Sequence, residues 1–313
     1  MGLKTSSIVV LAILGFIGLG FALPIILDYV GGEEKPAVYV PGNITLYITS
    51  EFGQVLHQNA TFDPSLGLTT MEMVRNMTQI ETSYGGMFLS GMHGLESDVS
   101  RRLDWFFYVN GAFMDRGLVT YVPKRGEVVQ VDYHFWGNYA AYPGFLSGYP
   151  RRFQVGLDGK RWNLTIASGE LHEEAVSSYA GALSTFCNCS VITVDPGVSS
   201  LDEVEKNLVV LIGPGGNALY SEMLQIRRNA FWPVTAEGGE ITINHLPTGE
   251  EALKDGYALM ATDLPGGRWA LLVFATDGVW MEEALKQLGD FESPGPYPAI
   301  MFDTLGSTPL PVQ

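Results

Sequence analysis

The sequence predicts an α+β protein in three parts: an N-terminal transmembrane helix, a small β-grasp-like domain, and then a three-layer α/β domain. Three observations predict it. An apolar run from Ile8 to Tyr29, interrupted only by Asp28, is long enough to cross a bilayer. Between residues 43 and 136 apolar and polar residues alternate with the period of strands, around one short stretch at helical spacing. From Phe153 onward strand-like and helix-like segments alternate with short links, the pattern of a sheet covered by helices.

Residues 1–30 read as the membrane segment. About 20 helical residues span the hydrocarbon core, and Phe21-Ala22-Leu23-Pro24 is a poor cleavage site, which favours an uncleaved signal anchor over a cleaved signal peptide. Lys4 is the only early positive charge, so the body of the chain is expected to be extracytoplasmic on a single-pass cell-membrane protein. Residues 31–42, rich in glycine, proline and charge, form a stalk. Asn43, Asn59, Asn76, Asn163 and Asn188 each begin an Asn-x-Ser/Thr triplet. Such an excess points to a glycoprotein of the cell envelope, weighed against the bias of a Thr/Ser-rich composition.

The formal charge of −16 comes from 34 acidic and 18 basic residues with no block of like sign. An acidity spread in this way excludes a concentrated basic face, and with it nucleic acid as a partner.

In the first half, Asn43 to Ser50 alternates as a strand, with Gln54 to Phe62 as its hairpin partner. Thr69 or Thr70 caps a helix ending at Met77, with Glu72 in its first turn. Met71, Val74 and Met77 share one face, read as core rather than as a methionine metal site. Strands follow at Ile80 to Tyr84 and Met87 to Met92, joined through Gly85-Gly86. Trp105 to Trp136 then contains two apolar runs meeting at Asn110-Gly111, a dipeptide suited to the positive φ angles of a type I′ turn. In its last run Val129, Val131, Tyr133 and Phe135 fall on one face and Gln130, Asp132 and His134 on the other. That alternation predicts a half-buried antiparallel strand.

Residues 43–136 resemble the small β domain at the C-terminal end of transcobalamins and intrinsic factor, which also recurs in prokaryotic surface proteins. The resemblance is carried by the capped helix, by Phe88-Leu89-Ser90-Gly91-Met92-His93-Gly94, by Trp105-Phe106-Phe107-Tyr108-Val109-Asn110-Gly111, and by Gly117, Tyr121 and Gly126. Arg125 and Glu127 depart from the Asp-Gly-Asp turn of that family. The resemblance implies a corrinoid or other planar ligand captured for a transporter. Phe106, Tyr108, Asn110 and Trp136 would then contact it, with His93 and His134 as imidazoles within reach of a corrinoid cobalt. The residues alone leave three readings of the aromatic face open: ligand, protein partner, or contact between domains.

Residues 137–152 form an aromatic linker expected to pack between the two domains. In residues 153–313, Arg161 to Ala167 and Cys189 to Val194 read as strands flanking a helix over Leu171 to Phe186, with Leu171, Ala175, Ser178 and Leu183 inward. Leu208 to Ile212 and Arg268 to Ala275 read as strands buried on both faces. Residues 207–288 have a weaker resemblance to archaeal S-layer-type envelope domains, carried by Asn207 to Asn217 and Leu271 to Leu288.

Candidate chemistry is sparse. Gly213 to Asn217 lacks both phosphate-loop patterns and reads as a tight strand-to-helix turn. Cys187-Asn188-Cys189 reads mainly as two ordinary thiols, because extended geometry keeps alternate side chains beyond bonding distance. No histidine pair has metal-binding spacing, and no Gly-x-Ser-x-Gly elbow occurs, so neither metal site, cofactor nor enzyme is indicated. Two functions stand side by side: an anchored extracytoplasmic binding protein for a corrinoid or similar ligand, and an S-layer-associated or adhesion protein that binds envelope proteins without a small molecule.

Overall fold

The computed structural model describes residues 42–137, 144–168, 173–194, 200–228, 230–244 and 249–310. The expected anchor, nearly all of the stalk, and residues 138–143 of the linker lie outside them. Among the described residues no helix is long and apolar enough to cross a membrane. The fold is a mixed α+β arrangement in which sheets predominate and helices are few.

The first half contributes strands β1 (Ile44–Ser50), β2 (Val55–Phe62), β3 (Ile80–Ser83), β4 (Phe88–Met92), β5 (Leu95–Glu96), β6 (Leu103–Val109), β7 (Ala112–Phe113) and β8 (Val128–Phe135). They form a five-stranded sheet, β2-β1-β8-β6-β7, and a small sheet, β3-β4-β5. Helix α1 (Thr70–Met77) begins with a capping box: the Thr69 hydroxyl accepts from Glu72 N, and the Glu72 carboxylate accepts from Thr69 N. Its Met71, Met73 and Val74 pack on Ile44, Leu46, Ile48, Val129 and Val131. Asn110 and Gly111 have φ of 46° and 76°, the turn that their dipeptide predicts.

Strand β8 differs from its expectation. It lies between β1, to which it is parallel, and β6, to which it is antiparallel, and its polar face is buried as deeply as its apolar one. Gln130, Asp132 and His134 are inaccessible, whereas Phe135 is exposed. The polar side chains tolerate burial because each finds a partner. Asp132 accepts from the Thr49 hydroxyl at 2.5 Å and Gly53 N at 2.9 Å, with His134 Nδ1 2.6 Å away. Gln130 donates to Pro296 O at 3.0 Å and accepts from the Ser147 hydroxyl at 2.7 Å. The Phe52 and Phe106 rings lie 4.5 and 4.3 Å from that of His134.

The second half holds helices α2 (Arg151–Val155), α3 (Glu173–Cys187), α4 (Ala218–Ile226) and α5 (Gly278–Gly289). Its strands are β9 (Leu164–Ala167), β10 (Val191–Val194), β11 (Asn207–Ile212), β12 (Val234–Glu237), β13 (Glu240–Asn244), β14 (Glu250–Ala252), β15 (Gly256–Leu264), β16 (Arg268–Ala275), β17 (Ala299–Asp303) and β18 (Gly306–Leu310). A seven-stranded sheet runs β10-β9-β11-β16-β15-β17-β18, parallel from β10 to β16 and antiparallel beyond. Residues of α3 and α5, among them Leu183, Met281 and Leu285, cover Val209, Leu211, Leu271 and Val273. On the other face Leu219 and Met223 of α4, with Ile241 and Ile243 of the β12-β13-β14 sheet, cover Leu208, Val210 and Leu272. Cover on both faces is why β11 and β16 read as continuous apolar runs.

Two local expectations are corrected. The inward stripe of α3 is Val176, Tyr179, Leu183 and Cys187, with Ser178 exposed; Leu171 lies outside the described residues. Cys187 and Cys189 form a disulfide, because Cys187 ends a helix and Asn188 turns the chain at φ 48°. Their Cα atoms therefore come within 5.2 Å, inside the bonding range that a strand would not reach.

The two sheets meet at the Asn110-Gly111 turn. Gly111 O accepts from Phe145 N at 2.8 Å, Asn110 Nδ2 donates to Gly156 O at 2.7 Å, and Phe113 N donates to Asp263 Oδ2 at 2.6 Å. Desolvation pushes the Asp263 carboxyl from 3.8 up to about 7, against the opposing pull of Arg152. A folded-state value above the unfolded one means that stability is fully present below about pH 4 and is lost as pH rises through about 7. Denaturant titrations from pH 5 to 8 should show wild-type stability falling by on the order of 2 kcal/mol relative to Asp263→Asn. Parallel profiles for the two proteins would refute this assignment.

Candidate binding surface

The six residues expected to contact a ligand are not brought together on one exposed face. Tyr108, Asn110 and His134 are buried, Phe106 and Trp136 are half-buried, and His93 is exposed. The Tyr108 ring lies against Phe145 at 4.5 Å and Phe113 at 5.7 Å. Asn110 is engaged on both ends of its amide, since its Oδ1 accepts from Val128 N at 2.8 Å. His93 is elsewhere, at the β4–β5 turn, with its ring stacked 5.2 Å from that of His57. The His57 Nε2 is 2.9 Å from the Ser50 hydroxyl, and burial, together with the neighbouring His93, lowers the His57 pKa. Trp136 is held through its backbone, which donates to Arg102 O. Among the described residues no group of three or more His, Cys, Asp or Glu side chains is placed to hold a metal ion.

Of the five candidate glycosylation sites, Asn43, Asn59, Asn76 and Asn188 are exposed. Asn163 is half-buried and donates to Glu205 at 3.3 Å.

An exposed aromatic face does exist, one hairpin away from the expected one. The β3–β4 connection carries Tyr84, Met87 and Phe88 around Gly85-Gly86, and these three are 80%, 58% and 60% exposed. Tyr84, Gly85 and Gly86 have φ of 50°, 71° and 93° in succession. Glycines adopt such angles freely, but for a tyrosine they cost on the order of 1–3 kcal/mol. The strained turn keeps the Tyr84 ring edge-on to that of Phe88, with centroids 5.5 Å apart. Arg75 of α1 flanks the tip, its guanidinium 3.8 Å from where a Cβ on Gly86 would stand. Burying aromatic and methionine side chains like these stabilises a protein by about 1.5–3 kcal/mol each. Here they are left in water beside a tyrosine held at positive φ, which makes this tip the candidate contact surface. The signal for it in the sequence is Tyr84-Gly85-Gly86-Met87-Phe88, a hairpin turn whose flanks are apolar where polar residues are the rule.

Residues 67–134 match the model of a family of domains of unknown function (DUF4430), within the segment that carries the resemblance to transcobalamins. Among solved structures, a candidate metal-binding protein from Ruminococcus gnavus is 16% identical over 30% of this chain and 96% of that one, with a TM-score of 0.25. Haptocorrin in complex with Cbi is 19% identical over 31% of this chain, with a TM-score of 0.24, and the match spans 26% of haptocorrin. No curated protein matches the chain.

Proposed function

We propose that the protein is a membrane-anchored extracytoplasmic binding protein whose contact surface is the β3–β4 tip, and that its ligand is a flat, largely apolar molecule of the corrinoid kind. The observation that carries this reading is the solvent-exposed Tyr84–Phe88 pair, held edge-on by a strained turn. Two rings and a methionine offer a rigid apolar platform, and the Arg75 guanidinium beside it suits polar groups on the rim of such a ligand. The anchor, the exported location and delivery to a transporter belong to the same proposal, and rest on the apolar N-terminus and the exposed Asn-x-Ser/Thr sites.

The test is a titration of the purified full-length protein with cobalamin, following the corrin absorbance. A saturable change at micromolar protein is expected, and the double variant Tyr84→Ser/Phe88→Ser should weaken it at least tenfold, about 1.4 kcal/mol. The same exposed tip also fits a protein partner, the envelope-interaction alternative. No saturable change with the wild type at micromolar protein would overturn the corrinoid reading and leave that alternative.

A further inference from the structure

The amino ends of β9, β11 and β16 lie together at one edge of the seven-stranded sheet, since the three strands are parallel neighbours. Helix α2 brings Arg152 to this edge. Arg152 and Asn207, the first residue of β11, are both completely inaccessible. Arg152 donates from Nε to Asn207 Oδ1 at 3.3 Å and from Nη2 to Gly267 O at 3.1 Å. Its third nitrogen, Nη1, has no hydrogen-bond partner. Asn207 Nδ2 has none either. Two buried N–H groups without acceptors thus sit side by side at the start of β11. Each costs about 1–3 kcal/mol if left unpaired, so a folded protein does not accumulate them in one place without an acceptor to satisfy them.

The charge of the surroundings says what kind of acceptor. Arg152 and Lys206 both lie over the Trp162 ring, with Cζ at 5.3 Å and Nζ at 5.6 Å from its centroid. Lys206 is exposed and Trp162 half-buried, so the edge opens to solvent there. Against Arg152 and Lys206 stand Asp263 of β15 and Glu127, which act on Arg152. Glu205, close by, is engaged by Asn163 and not by the unpaired donors.

We propose that this edge binds a small oxyanion, held by Arg152 Nη1 and Asn207 Nδ2, with Lys206 and Trp162 at its mouth. Open α/β sheets usually bind ligands at the carboxyl ends of their strands. This site is at the opposite end, beside the junction with the first sheet, and it is separate from the Tyr84–Phe88 surface. Its acceptor oxygens would come from a tetrahedral anion or from a carboxylate.

Calorimetric titration of the full-length protein with inorganic phosphate, sulfate and acetate, at constant ionic strength set by chloride, tests the proposal and separates these sources. Saturable binding of at least one anion is expected. Asn207→Asp keeps the oxygen that Arg152 donates to and replaces the free donor by an acceptor, so affinity should fall at least tenfold. Lys206→Ala, a change at an exposed residue, should weaken binding about threefold and decides the matter if Asn207→Asp fails to fold. Binding of none of the three anions, or wild-type affinity in the folded variants, would overturn the proposal.

Discussion

Gly111→Ala is expected to lose about 3–5 kcal/mol of stability, because the tip of the Asn110-Gly111 turn is wedged against the second half of the chain. A Cβ on Gly111 would stand 2.1 Å from Phe145 O, on a backbone at φ +76°. The opposite wall is just as close, since a Cβ on Gly148 would stand 2.2 Å from Asn110 O. Neither obstacle is a side chain that could swing aside; both are backbone, fixed by Phe145 N donating to Gly111 O and by the short helical turn over Leu146–Gly148. Overpacking at such a point forces the two sheets apart or unfolds the turn. Thermal unfolding followed by circular dichroism should show a melting temperature lower by roughly 10 °C. Gly181→Ala is the control: that glycine sits in α3 with nothing within 4 Å of its would-be Cβ, and alanine there should stabilise by up to about 1 kcal/mol. A Gly111→Ala protein melting within 2 °C or so of wild type would show that the junction yields, contrary to this account.

The second large effect belongs to Asp132. Alanine at this position leaves the Thr49 hydroxyl, Gly53 N and His134 without their common acceptor in a region closed to water. Removing one member of a buried hydrogen-bonded charge network costs about 3–5 kcal/mol, mostly from the groups left behind. Asp132→Asn retains one acceptor oxygen and should fall between alanine and wild type. Equilibrium unfolding in urea measures both; a loss under about 1 kcal/mol for Asp132→Ala would mean that the network is reached by solvent.

Much of this fold was legible in local pattern. Thr69 and Glu72 announce the start of α1, Asn110-Gly111 announces its turn, and the unbroken apolar runs of β11 and β16 announce strands covered on both faces. What failed did so for a common reason: the deciding partner is far away in the chain. Alternation alone assigns Gln130, Asp132 and His134 to solvent. They are buried because Thr49, Ser147 and Pro296 come back to satisfy them, and nothing near β8 in the sequence announces those residues. The cysteine pair is not legible from extended geometry, because a helix ends at Cys187 and Asn188 turns the chain. The candidate surface was legible in part. The aromatic strand β6 stands out by its composition, yet Phe107 and Tyr108 are buried and Trp105 and Phe106 half-buried, while the shorter Tyr84-to-Phe88 segment, with two aromatics, holds them in water.

The parallel pairing of β1 with β8 also sets the order in which the chain can assemble. Thr49 and Asp132 meet across 83 residues, and the face they share is closed by Pro296, from near the end of the chain. Helix α1, the β1–β2 pair and the β3–β4 hairpin are local and can form early, but β1 meets β8 only after most of the first half is made, and the polar face of β8 is closed only by the last segment. Contacts of such long sequence separation are slow to form, because the loop entropy is spent before the contact returns anything. A chain emerging in order from its amino end therefore carries a polar-lined, uncovered sheet face until almost all of it has been made, and that interval is when the face is most exposed to non-native contacts.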